Sequence, residues 1–149
     1  MEINSTHFQN PLFADENILQ LIPQRPPMVM VDSFFGVNEK DSFSGLTVNA
    51  ENIFFKNGKL IEEGIIEHFA QSAAARIGYL FLQKNEVVPI GFIGAVSKFT
   101  THSLPKIGDK VQTVVTVIQE VGNITLAGVK SWINDELIAE GELKIYLNK

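Results

Sequence analysis

The chain of 149 residues contains no cysteine, so disulfides, thiol catalysis and thiolate metal sites are excluded from the outset. It contains no internal repeat and no low-complexity run. Its opening residues, MEINSTHFQNPLF, lack the basic start and apolar centre of a secretory leader, so none is expected. No apolar run reaches the roughly 20 residues of a membrane span, because charges interrupt the longest one. There is no excess of positive charge: Lys and Arg total 12 against 17 Asp and Glu, a formal net charge of -5. With no basic cluster either, a nucleic-acid partner is not expected. No Gly-rich phosphate loop occurs, and no serine sits in a nucleophile elbow. Three scattered histidines, His7, His68 and His102, make no metal site. The sequons at Asn4 and Asn123 carry little meaning without a leader. A cytoplasmic protein with one core is the expectation, given 45% hydrophobic and 19% charged residues.

What is present is one long apolar segment, 60-LIEEGIIEHFAQSAAARIGYLFLQK-84, which the pattern predicts as a helix over about 62–83. A helix apolar nearly all round is a buried one. The small residues at 72–75 and Gly78 predict close approach to a neighbouring backbone. Before it, 15–22 predicts a short helix with Asp15 as its N-cap and Pro23 as its stop. Residues 23-PQRPP-27 predict a rigid extended segment, 28–37 a strand, 43–48 a second strand, and Asn57-Gly58 a turn. After it, strands are predicted at 87–100, 110–121, 124–133 and 136–147, with turns at Gly122-Asn123 and Asn134-Asp135. The fold class is therefore α+β, a curved antiparallel sheet wrapped around one central helix, in a single domain over 1–149 with a mobile arm at 1–14. A second copy is expected to cover the remaining helix face and sheet edge, making a dimer.

Two polar stripes cross that helix. Glu63, Glu67 and Gln71 stand four apart and share one face. Glu63 lies near the helix start, where a carboxylate favours the dipole. Glu67 sits between Ile66 and Phe69, where a carboxylate costs several kcal/mol unless paired, the setting of a general acid or base. Gln71 reads either as a holder of that carboxylate or a bound carbonyl, or as a satisfied core amide. His68, Ser72 and Arg76 form the second stripe, read as a partly exposed histidine near Arg76. Arg25, between prolines, reads as a salt-bridge former, with a bound phosphate or a capped carboxylate as alternatives.

Taken together, residues from about 17 to 147 resemble the hotdog-fold 3-hydroxyacyl-acyl-carrier-protein dehydratases. The resemblance rests on 22-IPQRPPMVMVD-32, on 65-IIEHFAQ-71, which is similar to the family's Ile-Ile-Glu-x-x-Ala-Gln helix signature, and on the turn 107-IGDKV-111. It implies a hotdog fold and a site across a dimer interface. Glu67 would be the acid that protonates the departing 3-hydroxyl, and Gln71 its companion amide. Gly64 near the helix start and His68 would join Gln71 in binding the substrate. Neither a cofactor nor a metal is implied. The family's base is a histidine in a Gly-His-Phe-Pro-Gly loop before the helix; this chain instead has the shorter 56-KNGKLIE-62, and Gln24 stands where the family has its Leu-Pro-His histidine. Neither His68 nor His102 occupies the matching position. The shortened form looks most like a divergent branch associated with aryl-polyene and related polyketide pathways, where dehydratase-like proteins pair as unlike subunits.

Three functions follow from the resemblance: a dehydratase of acyl thioesters in fatty acid or polyketide synthesis, a non-catalytic or half-site subunit of a heteromeric dehydratase, and a hotdog acyl thioesterase using a lone carboxylate. The implied substrates are acyl thioesters of acyl carrier protein or coenzyme A. The implied macromolecular partners are acyl carrier protein and a second subunit, identical or paralogous. An acidic carrier would need a local basic patch, for which Lys98, Lys106, Lys110 and Arg76 are candidates.

Overall fold

The computed structural model describes residues 4–148. Its strands are β1 Phe13–Ala14, β2 Ser33–Asn38, β3 Asp41–Thr47, β4 Phe55–Lys56, β5 Lys59–Leu60, β6 Ile90–Thr101, β7 Lys110–Val121, β8 Ile124–Ile133 and β9 Glu136–Asn148. The one α-helix among the described residues, α1, spans Glu62–Gln83. Seven strands form one antiparallel sheet in the order β1-β2-β3-β7-β8-β9-β6, and β4-β5 is a separate hairpin leading into α1. The sheet wraps around the helix, the hotdog arrangement.

The turns follow from their residues. Asn57 and Gly58 take φ of 53° and 81°, and Asn134 and Asp135 take 47° and 68°, the left-handed pairs that two-residue hairpins need. Core-facing side chains of the long strands meet the helix: Leu46, Val111, Val115, Val129 and Leu143 pack with Ile65, Phe69 and Ala73. The far half of α1 packs its Ala75 against Ile18, Leu21, Ile22, Val31 and Phe34. There Gly78 is required, because a Cβ at that position would sit on the Leu21 carbonyl. The close backbone approach expected of the small-residue stretch is thus met at Gly78.

Several local expectations give way to tertiary contacts. Asp15 does not cap the short helix: that element is a 3-10 helix, Asp15–Gln20, with Ala14 at the cap position and Asp15 itself at φ 52°. Residues 23–27 are not extended; the chain turns there, and Met28 N donates to Arg25 O at 2.9 Å. Arg25 makes no ion pair among the described residues; its guanidinium donates to the carbonyls of Ile22 and Gln24. The strand predicted over 28–37 begins only at Ser33, because helix side chains hold the backbone of Met28 and Met30 in place of a neighbouring strand. The arm expected to be mobile is built onto the sheet's outer face as far as it is described. Ser5–Phe8 is a 3-10 helix whose Phe8 packs with Phe43, Val114 and Trp132. The His7 ring lies 4.1 Å from that of Phe43. Residues 1–3 of that arm lie outside the described residues.

The two sheet edges differ. β1 is two residues long, whereas β6 is twelve and largely exposed, with Ile90 62% and Phe92 55% accessible. The bend suggested by its glycines is present: β6 breaks register between Ile93 and Ala95, and the Tyr146 ring lies against Gly94. Among the described residues, no helix is long and apolar enough to cross a membrane.

Candidate functional site

The first polar stripe divides along its length. Glu63 is exposed, Glu67 is half-buried, and Gln71 is fully buried. The Gln71 amide is held by backbone at both ends. Met30 N donates to Gln71 Oε1 at 2.6 Å, and Gln71 Nε2 donates to Met28 O at 2.7 Å. Those partners fix which end is nitrogen, since an amide N–H only donates and a carbonyl only accepts. The second Nε2 hydrogen goes to Glu67 Oε1 at 3.1 Å. Glu67 is therefore a carboxylate with one oxygen engaged by an amide. Its Oε2 takes no hydrogen bond among the described residues.

His68 lies elsewhere than expected. It is buried, 1% accessible, and does not sit half-exposed beside Arg76. Nδ1 lies 2.6 Å from Met30 O and Nε2 lies 2.7 Å from Thr113 Oγ1. The carbonyl can only accept, so Nδ1 carries the hydrogen and Thr113 donates to Nε2. Thr113 has then spent its one hydrogen, so Ser131, 2.6 Å away, donates to it. Burial pushes the imidazole down to about 4 against the opposing Met30 hydrogen bond, which keeps the ring neutral. With both nitrogens taken, the ring offers no free donor or acceptor to a substrate, which corrects its assignment to substrate contact.

Gly64 also differs from expectation. Its N–H donates to Ile61 O at 3.0 Å, and the residue is buried where a Cβ would meet Leu60 and Phe54. It lets the β4-β5 hairpin lie against the helix start, and its amide is not free for a substrate oxygen. Among the described hydrogen bonds, the amides of Glu62 and Glu63 have no acceptor. His102 sits at the surface, 3.1 Å from Glu140. Arg76 is half-buried with its Nη1 unpartnered; burial lowers it, and Glu120 and Asp41 oppose that.

Two of the four suggested basic residues face acidic groups. Lys98 pairs with Glu142 at 3.7 Å, and Arg76 feels the charges of Glu120 and Asp41. A different group does converge: Lys56 is the cross-strand partner of Lys59, and Lys59 bridges Lys106. Directly opposed residues share a face, so three exposed lysines line one side of the hairpin before α1.

Beside the helix, a recess of about 80 Å³ is lined by Gln24, Ala70, Ala74, Ile77, Val88 and Ile93, between α1 and β6. A second of about 160 Å³ shares Ala73, Ile77 and Ile145 with it. A groove of about 510 Å³ lies on the sheet's outer face around Thr116, Lys130 and Trp132, and Glu67 has no part in it.

The residues missed from sequence are Met30, Thr113, Ser131, Lys56 and Lys59. Thr113 and Ser131 left a signal: each is a hydroxyl at a core-facing position of an alternating strand.

Comparison with known proteins adds four findings. The family model described as ApeP-like, ApeP dehydratase, matches residues 16–149. The 3-hydroxyacyl-(acyl-carrier-protein) dehydratase FabZ of Helicobacter hepaticus is 28% identical, covering 100% of this chain and 98% of the relative. Among solved structures, the dehydratase heterocomplex ApeI:P from Xenorhabdus doucetiae superposes with a TM-score of 0.82 at 15% identity, over 95% of this chain and 93% of that one. A hypothetical thioesterase protein solved with coenzyme A from Streptococcus pneumoniae gives 0.64 at 8% identity, over 77% and 84%.

Proposed function

The chain belongs to the ApeP-like dehydratase family, and from that premise we propose that it acts on 3-hydroxyacyl thioesters borne on acyl carrier protein, with Glu67 as the acid. The observation that carries this reading is the Gln71–Glu67 pair. One carboxylate oxygen is occupied and the other is left to hold a proton. In dehydration the C2–H bond breaks to a base, the C2–C3 double bond forms, and the C3 hydroxyl leaves as water with the Glu67 proton. The unpaired amides of Glu62 and Glu63 at the helix start would receive the thioester oxygen as charge builds on it.

The base is not a histidine of this chain. His68 is fully engaged, His102 pairs with Glu140 at the surface, and His7 stacks on Phe43 on the sheet's outer face, away from the helix. The β4-β5 hairpin, Phe55–Leu60, leads into α1 where the resemblance would put the family's histidine loop. We therefore assign the base to a second subunit, docked along β6 and the half-buried helix face of Ala70, Ala74 and Ile77. A twelve-residue apolar edge strand is a pairing surface unless it is covered, which supports a dimer. The Lys56, Lys59 and Lys106 face beside the helix start fits an acidic carrier protein. The heterocomplex described for the Xenorhabdus protein favours a paralogous second subunit over an identical one. The thioesterase reading has one supporting observation: the lone carboxylate needs no histidine to activate water.

The test offers a 2-enoyl thioester of acyl carrier protein to the purified chain, alone and with a paralogue that keeps the histidine. Mass spectrometry follows the products. Hydration that requires the paralogue is the expected result, and hydration by the chain alone would return the base to this protein. Release of free carrier thiol without hydration would replace the dehydratase reading with the thioesterase one.

A further inference from the structure

Two helix side chains grip the same three-residue segment. Gln71 takes Met28 O and Met30 N, and His68 takes Met30 O. This segment is irregular and has no strand beside it, so these bonds satisfy backbone groups that a sheet would otherwise have paired. His68 is in turn held from behind by Thr113 and Ser131, on two adjacent strands that the register places side by side. The result is a directed series of hydrogen bonds: Ser131 to Thr113, Thr113 to His68, His68 to the Met30 carbonyl. On the other side of the same peptide segment, Met30 N–H meets the Gln71 oxygen, and the Gln71 nitrogen meets Glu67.

We propose that His68 is a positioning residue. By holding the Met30 carbonyl it fixes the backbone of residue 30, whose N–H sets the orientation of the Gln71 amide, and so decides that Oε1 of Glu67 receives a donor while Oε2 is left for proton transfer. A reversed Gln71 would turn its carbonyl oxygen toward the carboxylate. That arrangement is unfavourable when Glu67 is ionised, and when Glu67 is protonated it draws the proton away from the substrate side. The inference rests on the assignment of Glu67 as the acid. It adds a residue that touches neither substrate nor Glu67, and that acts through the backbone of Met30.

The two ring nitrogens make the idea separable from packing. Asn at position 68 retains a donor near the place of Nδ1, toward Met30. Gln retains a polar group near the place of Nε2, toward Thr113, and loses the Met30 bond. With glutamine selectively labelled with nitrogen-15, the Gln71 side-chain hydrogens can be followed in exchange with heavy water. Gln71→Leu identifies their signals, and the exposed Gln9 and Gln83 serve as internal references. In the wild-type protein the Gln71 hydrogens should exchange at least about 10-fold more slowly than those references, as buried and doubly bonded groups do. His68→Asn should keep that protection and His68→Gln should lose most of it. In the active assembly His68→Gln should lower kcat about 10-fold with KM little changed, and His68→Asn should restore most of the loss.

Exchange of Gln71 at the rate of Gln9 and Gln83 in the wild-type protein overturns the inference, and this needs no variant to fold. So does a His68→Gln protein that keeps both protection and kcat. Full activity in Glu67→Gln would remove the acid assignment while leaving the orientation of Gln71 standing, so the two failures are distinguishable.

Discussion

The two polar stripes of α1 start from similar residues and meet opposite surroundings. They lie about 100° apart around one helix, yet Glu63, Glu67 and Gln71 pass from solvent to core, while His68 and Ser72 are wholly buried, His68 against Thr113 of β7. In the first stripe an ionisable group keeps one oxygen unengaged. In the second, both ring nitrogens are engaged, Nδ1 by the Met30 carbonyl and Nε2 by the Thr113 hydroxyl, which Ser131 backs. The stripe open at one end has room for chemistry, and the closed one sets shape. Gln71 and His68 join them through the Met28–Met30 segment.

The comparison breaks most visibly where the stripes meet. Gln71→Leu leaves Met28 O and Met30 N without partners and should cost about 4 kcal/mol, near the upper range for a buried network. Urea unfolding of the variant measures it, and a loss below about 1 kcal/mol would show that the segment is held by other means.

The closed stripe carries its own pH signature. Because the folded-state value of His68 is lowered to about 4, the unfolded chain binds the proton first. Stability is then full above the unfolded value of about 6.5 and falls as pH drops toward 4, levelling off below. The total is on the order of 3 kcal/mol. Urea midpoints between pH 7 and 4 should show this slope in the wild-type protein, and His68→Asn should remove His68's share of it.

Ser72 sharpens the contrast from inside the closed stripe. Its hydroxyl is buried without a partner, so Ser72→Ala should raise stability by about 0.5–1 kcal/mol. A comparable loss would reveal a bound water that satisfies this hydroxyl. Glu63→Gln, at the solvent end of the open stripe, should change stability by less than about 0.5 kcal/mol and leave turnover as it was.

Much of the fold was legible because its signals are local. The helix bounds, the four long strands and the three hairpin turns all follow from periodicity and from Asn, Asp and Gly placement. Glu67 and Gln71 were legible as an i, i+4 pair on a helix. His68 was not, because its partners Met30 and Thr113 stand 38 and 45 residues away in the chain. Residues 28–32 misled for the same reason: apolar, β-branched residues favour a strand, but Gln71 and His68 had already claimed the backbone. The basic face was hidden because Lys56, Lys59 and Lys106 meet only through strand register.

The most direct test of the account is single-turnover hydration of a carrier-bound 2-enoyl thioester by the complete assembly, with Glu67→Gln compared against wild type. A loss of at least about 100-fold in rate, with folding and assembly intact, is predicted for removal of a general acid. An unchanged rate would contradict it and take Glu67 out of the chemistry.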